Sequence, residues 1–296
     1  MPATAATPTV PAAASGRAAA WRDVTVELPA LAPVPTRIYG QRKRGQVQPL
    51  VVHFHGGAFV AGGLDNGRNC AGLMADTGAI VVSIAYPLAP AHPFPQAIDV
   101  GYGVLEWAYK QRAKLAGSGA PMYLAGEEAG GNLAAAIAVI ARDRCHPPLA
   151  GQVLVSPMLD PCVGTQSLRE ASGASTQCKW AEGWRNYLRC PQDSTHPYAV
   201  PSGSSRLTGI APTLVLTSSD DPMRDEARSY ASKLQAAGVQ VTFEELQPAT
   251  GWPDSLVSTQ PLECACAAMV RPALLAFFGA SLPQAGADAR PASGID

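Results

Sequence analysis

A glycine-framed turn between an apolar run and an alanine-rich stretch is the feature that most constrains this chain. Residues 122–125 are apolar and predict a buried strand, and residues 132–143 have the composition of a helix. Gly126, Gly130 and Gly131 surround Glu127 and Glu128 between these two segments. Glycine permits the sharp backbone turn that such a junction needs. The sequence therefore predicts that Glu128 projects from the apex of a tight turn between strand and helix.

The rest of the chain alternates apolar runs with amphipathic stretches. Further strands are predicted near residues 50–54, 80–84, 152–155, 213–216 and 239–243, and further helices near 69–76, 97–113, 224–237 and 265–278. This alternation is typical of a parallel sheet with helical crossovers. With 296 residues, 47% of them hydrophobic, the chain can bury one large core, and a single domain is predicted for residues 21–284. Residues 162–207 interrupt the rhythm and predict an insertion.

Composition excludes several classes of partner. The formal net charge is -1 and no long run of Lys or Arg occurs, which argues against nucleic acid and against a membrane surface as partners. No apolar span of about 20 residues predicts a membrane helix. Residues 1–20, rich in Ala and Pro, and residues 285–296 are predicted to be disordered tails. The seven cysteines lack paired CxxC spacing, so we expect free thiols in a reducing cytoplasm and neither a metal nor another cofactor.

Several motifs follow one another in an order that resembles a known family. Residues 55–59 read HGGAF, residues 81–90 read VVSIAYPLAP, residues 92–95 read HPFP and residues 221–226 read DPMRDE. With the glycine-framed turn, they resemble the hormone-sensitive-lipase-like (carboxylesterase-like) branch of the α/β-hydrolases. The resemblance covers about residues 25–278. It implies an α/β-hydrolase fold with a mostly parallel central sheet, flanking helices and a small cap inserted at residues 162–207.

The resemblance also assigns the catalytic positions, and this chain departs from the family at two of them. The nucleophilic serine of the family maps onto Glu128, and its catalytic aspartate maps onto Asp221. The catalytic histidine falls in the short segment 251–256, where we align it with Asp254. All five histidines precede Asp221 in the chain. Because a serine hydrolase needs both the hydroxyl and the imidazole, ordinary esterase activity is not expected.

The anion-binding part of the family's site is retained. The resemblance implies that the backbone N–H groups of Gly57, Ala58 and Ala129 form an oxyanion hole. Replacing the family's third glycine by Ala58 keeps that N–H. His55 and Gly56 are expected to orient the loop.

Other residues of the site are expected to support it or to contact a small-molecule substrate. Glu127 is expected to brace the turn rather than to contact substrate. Candidates for the substrate pocket are Phe59, His53, Trp252 and the aromatic residues of the cap, Trp180, Trp184 and Tyr187. Their spacing also fits an interpretation as the core of the cap. Because only a short, proline-rich stretch precedes Trp21, the cleft would be open or covered by an ordered tail or by the second subunit of a homodimer.

Three carboxylates at one site predict acid/base chemistry. Since Glu128, Asp221 and Asp254 would all lie at the carboxyl edge of the sheet, their pKa values should be driven apart. We therefore expect Glu128 and Asp254 to exchange protons with a carbonyl substrate in a cyclisation, dehydration or isomerisation, a step of natural product biosynthesis. Two alternatives stay open. One is a catalytically inactive binding protein, and the other is a hydrolase with Glu128 as the nucleophile, as an aspartate is in the related epoxide hydrolases and haloalkane dehalogenases.

Overall fold

Eight strands form one sheet in a computed structural model that describes residues 20–170, 174–247, 252 and 265–282. The strands are β1 (Trp21–Val26), β2 (Val34–Tyr39), β3 (Leu50–Phe54), β4 (Ile80–Ile84), β5 (Met122–Glu127), β6 (Gly151–Val155), β7 (Thr213–Ser218) and β8 (Val241–Leu246). Their order across the sheet is β1-β2-β4-β3-β5-β6-β7-β8. The pairs from β4 to β8 are parallel, whereas β2 is antiparallel to both β1 and β4. The predicted fold class, a mostly parallel sheet flanked by helices, is confirmed.

Seven α-helices accompany the sheet in the described part of the chain. They are α1 (Arg68–Asp76), α2 (Gln96–Leu115), α3 (Ala129–Asp143), α4 (Gln166–Glu170), α5 (Ala174–Tyr187), α6 (Arg224–Ala236) and α7 (Ala265–Gly279). Helix α3 lies at the centre and buries every residue from Ala129 to Ala141. Two apolar clusters, one on each face of the sheet, cover strands that are buried along their whole length, such as β3. This double cover explains why those strands read as continuous apolar runs in the sequence.

The junction of β5 and α3 is tighter than predicted. Strand β5 continues to Glu127, which pairs with Val155 of β6, and α3 begins at Ala129. A Cβ atom on Gly130 would lie 2.0 Å from the carbonyl oxygen of Phe54, so only glycine lets the helix start this close to β3. Glu128 alone therefore forms the turn.

The sequence analysis missed β1 and β2, the antiparallel pair at one edge of the sheet. Strand β1 is mostly exposed and has only Val26 buried, so it lacks the apolar run that revealed the central strands. In the predicted insertion the structure places α4 and α5, followed by short 3-10 turns at Pro191–Thr195 and Pro201–Gly203.

Some predictions concern features away from the site. Of the described helices, none is long and apolar enough to cross a membrane. Cys70, Cys145, Cys162 and Cys190 are free thiols, but Cys266 is disulfide-bonded, so the expectation of free thiols throughout is wrong. Both predicted tails lie outside the described residues except for Ala20. The cytoplasmic location and the homodimer stay predictions.

Candidate functional site

Glu128 occupies a strained turn at the carboxyl end of β5. Its φ of 54° and ψ of −119° lie outside the regions that side chains ordinarily adopt, and such strain typically costs about 1–3 kcal/mol. Its backbone N–H and carbonyl groups both form hydrogen bonds. The Glu128 N–H donates to the Val155 carbonyl at 3.0 Å, and the Glu128 carbonyl accepts from the Met158 N–H at 2.9 Å. The fold thus fixes the direction in which this one side chain leaves the turn.

The Glu128 carboxylate is held by donors from two separate segments. Oε2 accepts a hydrogen bond of 2.6 Å from the backbone N–H of Gly57. Oε1 accepts one of 2.5 Å from the indole Nε1 of Trp180 and lies 3.2 Å from Nζ of Lys179. The glutamate is 6% exposed. A buried carboxylate needs such donors, and here one comes from the predicted oxyanion loop and two from cap helix α5.

The predicted oxyanion loop has an unusual backbone. Gly57, Ala58 and Phe59 all have positive φ values, 123°, 50° and 65°. A Cβ atom on Gly57 would lie 2.1 Å from the Ala61 carbonyl oxygen, so this position requires glycine. The N–H of Gly57 donates to Glu128, and its part in an oxyanion hole for substrate stays a prediction. Ala58 and Ala129 are fully buried beside it, and their part in an oxyanion hole stays a prediction.

Glu127 joins the oxyanion loop to a buried polar cluster beneath the turn. Its Oε1 accepts from the N–H of Gly56 at 3.1 Å, and its Oε2 lies 2.6 Å from Nε2 of His53. His53 Nδ1 lies 3.0 Å from the hydroxyl of Ser83. Burial raises the pKa of the Cys70 thiol well above its usual range, and the charge and hydrogen bond of Glu127 add to that rise. Ligand atoms of His53, Cys70 and Glu127 lie within 4.8 Å of one another. Glu127 thus contacts two segments beneath the turn, and its role as a brace stays a prediction.

His53 does not line a pocket, contrary to the sequence-based prediction. It is 0% exposed because it lies in the middle of the sheet, opposite Ser83 of β4 and Ala125 of β5. His55 is also buried, and its Nδ1 lies 2.7 Å from the Gly56 carbonyl oxygen. The His55 ring stacks on Tyr86 at 4.3 Å, and burial lowers the pKa of the imidazole. Both histidines therefore belong to the support of the loop.

Asp221 is surrounded by donors of the protein itself. Its Oδ2 accepts from the hydroxyl groups of Ser156 and Thr217 and, at 3.1 Å, from the indole Nε1 of Trp252. Its Oδ1 accepts from the N–H of Met223 at 2.8 Å. Burial raises the pKa of Asp221, and these hydrogen bonds oppose that rise. Trp252 is buried and contacts the carboxylate of Asp221, and its predicted contact with substrate stays a prediction.

Glu128 and Asp221 have different hydrogen-bond donors, and the convergence of the three carboxyl groups stays a prediction. Within the described residues, Asp221 and Glu128 share no donor and no hydrogen bond joins them. The acid that interacts with Asp221 is Glu226, whose pKa is raised well above its usual range mainly by burial and in part by Asp160 and Asp221. Glu226 Oε2 accepts from the backbone N–H groups of Leu159 and Asp160. Asp254 lies outside the described residues, so its distance from Glu128 stays open.

One face of cap helix α5 covers both the oxyanion loop and Glu128. Lys179 and Trp180 contact Glu128, and Gly183, one turn further, packs against the carbonyl of Ala58. Trp184 and Tyr187 then pack on Phe59, with ring centroids 5.0 Å and 4.0 Å away. These three rings are buried, which agrees with the interpretation of the aromatic residues as cap core. Any contact of Phe59, Trp180, Trp184 or Tyr187 with substrate stays a prediction.

Sequence reasoning missed three polar residues of this site. Lys179 precedes Trp180 directly, and because the tryptophan was already a candidate, the neighbouring lysine at the start of the same helical face could have been one. Ser156 directly follows β6, which lies beside β5. In parallel sheets, residues at the carboxyl ends of the strands often face the ligand-binding site. Glu226 belongs to the same DPMRDE motif as Asp221. Its burial depends on the packing of α6, which the motif does not reveal.

Fold and site together define the class of protein. Residues 51–250 match the family profile described as the alpha/beta hydrolase fold, Abhydrolase_3, and the chain belongs to this family. It is 34% identical over 223 residues to the carboxylesterase NlhH of Mycobacterium tuberculosis, and the match covers 73% of this chain and 70% of that protein. It is 31% identical over 220 residues to the gibberellin receptor GID1C of Arabidopsis thaliana, covering 70% and 63%. The structure of an esterase from Pyrobaculum calidifontis superposes with a TM-score of 0.75 at 32% identity, covering 89% and 87%.

These similarities correct the function predicted from the sequence. We expected a cyclase, dehydratase or isomerase of natural product biosynthesis, but relatives in this family are named carboxylesterases and esterases. An enzyme of the hydrolase class is therefore indicated, and the non-hydrolytic prediction is wrong. The error arose because we took the predicted replacement of serine and histidine as a loss of hydrolysis, although a carboxylate can also serve as a nucleophile.

Proposed function

We propose that this protein is a hydrolase of small-molecule electrophiles in which the carboxylate of Glu128 is the nucleophile and forms an ester with the substrate. The observation that carries the proposal is the hydrogen bond of 2.6 Å from the Gly57 N–H to Glu128 Oε2. This N–H belongs to the loop that resembles an oxyanion loop. The carboxyl group of the enzyme itself therefore stands where the family's reaction places the carbonyl group of an intermediate.

The length of the glutamate side chain gives this contact its meaning. In a serine hydrolase, the acyl-enzyme runs from Cβ through Oγ to the acyl carbon, whose oxygen lies in the oxyanion hole. Glutamate runs from Cβ through Cγ to Cδ, whose Oε2 has the same number of bonds from the backbone. An ester formed on Oε1 of Glu128 would therefore already have its carbonyl oxygen on Gly57.

The chemistry then proceeds in two displacements. In the first, an electron pair of Oε1 forms a bond to an electrophilic carbon of the substrate, and the leaving atom departs with the electrons of the broken bond. In the second, water adds to Cδ, and the resulting oxyanion on Oε2 is stabilised by the Gly57 N–H. Collapse of this intermediate breaks the bond between Cδ and Oε1. The product leaves with the original Oε1, and the glutamate keeps one oxygen atom from water.

Three features of the site support this assignment over that of a general base. Glu128 is fixed by the backbone turn, its Oε2 accepts from the N–H of Gly57 in the proposed oxyanion hole, and its Oε1 faces cap helix α5. A general base would need the hole free for the substrate carbonyl. The esterase names of the relatives support hydrolysis as the overall reaction.

Isotope labelling of Glu128 tests the proposal directly. The protein is incubated in water enriched in heavy oxygen with probes that alkylate a carboxylate, such as styrene oxide and benzyl chloride, and is then digested for mass spectrometry. We expect the peptide that contains Glu128 to gain the mass of one heavy oxygen atom while product forms. Glu128→Gln should form neither product nor labelled peptide, whereas Glu182→Gln, an exposed position on α5, should behave as wild type.

Other results would lead to different conclusions. Product that carries the heavy oxygen, with no label in the Glu128 peptide, would refute the covalent mechanism and make Glu128 a base for water. Probes that bind with measurable affinity and are recovered unchanged would refute hydrolysis and indicate a binding site.

A further inference from the structure

The strongest unassigned feature of the site is the pair of nitrogen donors on the outer oxygen of Glu128. Lys179 Nζ lies 3.2 Å and Trp180 Nε1 lies 2.5 Å from the same atom, Oε1. The two donors differ in their surroundings. Trp180 is buried, whereas the Lys179 side chain is 51% exposed and reaches solvent. The lysine is thus the solvent-accessible cation at the atom that would attack the substrate.

We propose that Lys179 is a catalytic residue that transfers protons in both half-reactions, and that the substrates are strained cyclic ethers such as epoxides. This inference rests on the proposed nucleophilic role of Glu128. A hydrolase with a carboxylate nucleophile needs an acid when its leaving atom is a basic oxygen and a base when water attacks the ester. Lys179 is the cation that contacts the Glu128 carboxylate in the described part of the chain.

The proton balance closes with Lys179 alone. Oε1 attacks a ring carbon, the C–O bond of the ring breaks, and the alkoxide takes a proton from the Lys179 ammonium. The neutral amine then accepts a proton from the water that adds to Cδ. When the bond between Cδ and Oε1 breaks, the departing alkoxide takes the proton of the added hydroxyl group. The products are a diol, the Glu128 carboxylate and the Lys179 ammonium, so neither an oxidant nor a cofactor is consumed.

The choice of substrate follows from the charges around Oε1. When Oε1 becomes an ester oxygen, it loses its negative charge, and Lys179 and Trp180 lose their acceptor. A substrate that develops a new oxyanion next to the attacked carbon replaces that acceptor within the reach of the same ammonium. An epoxide does so, and its oxygen stays attached to the intermediate.

Two probes separate the acid step from the base step. Styrene oxide needs a proton on its leaving oxygen, whereas benzyl chloride releases chloride without one. For Lys179→Met we expect turnover of styrene oxide to fall by about 100-fold or more. With benzyl chloride we expect the same variant to form the Glu128 ester and to accumulate it, detected as a benzyl adduct on the Glu128 peptide. Arg185→Met, which removes an exposed cation from the same helix, should keep wild-type rates.

Rescue experiments distinguish proton transfer from charge alone. Lys179→Arg keeps the positive charge but provides no neutral base, so its benzyl ester should also accumulate. Methylamine added to Lys179→Ala should restore hydrolysis of the ester, because the half-exposed position is accessible to a small amine.

The outcomes separate this inference from the proposed function. Heavy oxygen in Glu128 together with wild-type turnover of styrene oxide by Lys179→Met would overturn the role of Lys179 and leave the nucleophile intact. Heavy oxygen in Glu128 with no turnover of styrene oxide by wild type would overturn the substrate class. No ester and no label with either probe would overturn both proposals.

Discussion

Gly183 offers the sharpest test of how the cap holds the site. This glycine lies in α5, and a Cβ atom built on it would lie 2.3 Å from the carbonyl oxygen of Ala58 and 2.9 Å from the Ala58 Cβ. Both neighbours are short and rigid, so a methyl group fits only if α5 or the oxyanion loop moves. The loop is the strained partner, since Ala58 has a φ of 50°. Gly183→Ala should therefore displace the Gly57 N–H from Glu128.

The magnitude follows from two opposing terms. Replacing glycine by alanine in a helix stabilises by about 1 kcal/mol, whereas forcing an extra methyl group into packed surroundings costs about 1–3 kcal/mol. Gly72 is the matched control, because it lies inside α1 and a Cβ atom there meets nothing within 4 Å. Gly72→Ala should therefore show only the stabilisation that comes from replacing glycine by alanine in a helix. The free energy of unfolding of the two variants should thus differ by about 1–3 kcal/mol, with Gly183→Ala the less stable.

Urea denaturation gives the free energies, and hydrolysis of styrene oxide and benzyl chloride gives the activity. Even without urea, where Gly183→Ala is fully folded, we expect this variant to lose most of its turnover. Gly72→Ala should keep wild-type turnover. Equal stabilisation of both variants, with turnover unchanged, would refute the close packing of α5 on the oxyanion loop.

Three further predictions concern the acids and the nucleophile. Trp252→Phe removes one donor from buried Asp221 and should lower the free energy of unfolding by about 1–3 kcal/mol in urea titrations, whereas Trp107→Phe, half-buried on α2, should cost less. The folded pKa of Glu226 is raised well above 4.5, so this carboxyl contributes stability below that pH which is lost as pH rises through the folded value. Glu226→Gln should remove this loss of stability at rising pH. A free energy of unfolding that falls with pH as steeply in the variant as in wild type would contradict the prediction. Glu128→Ser should not hydrolyse nitrophenyl esters, because Asp221 accepts from the Trp252 indole and does not hold a base that could activate the serine. Ester hydrolysis at the rate of a serine esterase would show that another base is present.

Sequence reasoning predicted the parts of the fold that depend on local pattern. The central strands β3 to β7 are buried throughout and mostly apolar, and the turn at Glu128 is framed by glycines that permit the sharp change of direction. The edge strand β1 lacked a comparable signal because it is mostly exposed and contains polar residues, and β2, although mostly buried, is interrupted by Pro35, Thr36 and Arg37. The sequence pattern thus identifies the strands that are buried on both faces of the sheet.

The site was harder to predict because its contacts join distant segments. That Glu127 would brace the turn followed from its place in the motif, but its partner His53 was assigned to the pocket. Whether a histidine at the end of a strand faces a cleft or the interior depends on the packing of neighbouring layers. Lys179 and Trp180 reach Glu128 across more than 50 positions of sequence, and the separation of the Trp180 pair is 52. Only the fold of the cap brings them there.

The two departures from the serine hydrolase pattern become consistent once Glu128 is taken as the nucleophile. In a serine enzyme, the histidine first removes the hydroxyl proton and later activates water, and the aspartate holds it. A carboxylate carries no proton that must be removed before it attacks, so the first of these tasks disappears. Asp221 is then no longer needed to hold an imidazole, and its outer oxygen accepts the Trp252 indole. Only the activation of water still requires a base, and the ammonium 3.2 Å from Oε1 becomes that base after it has given its proton to the leaving oxygen.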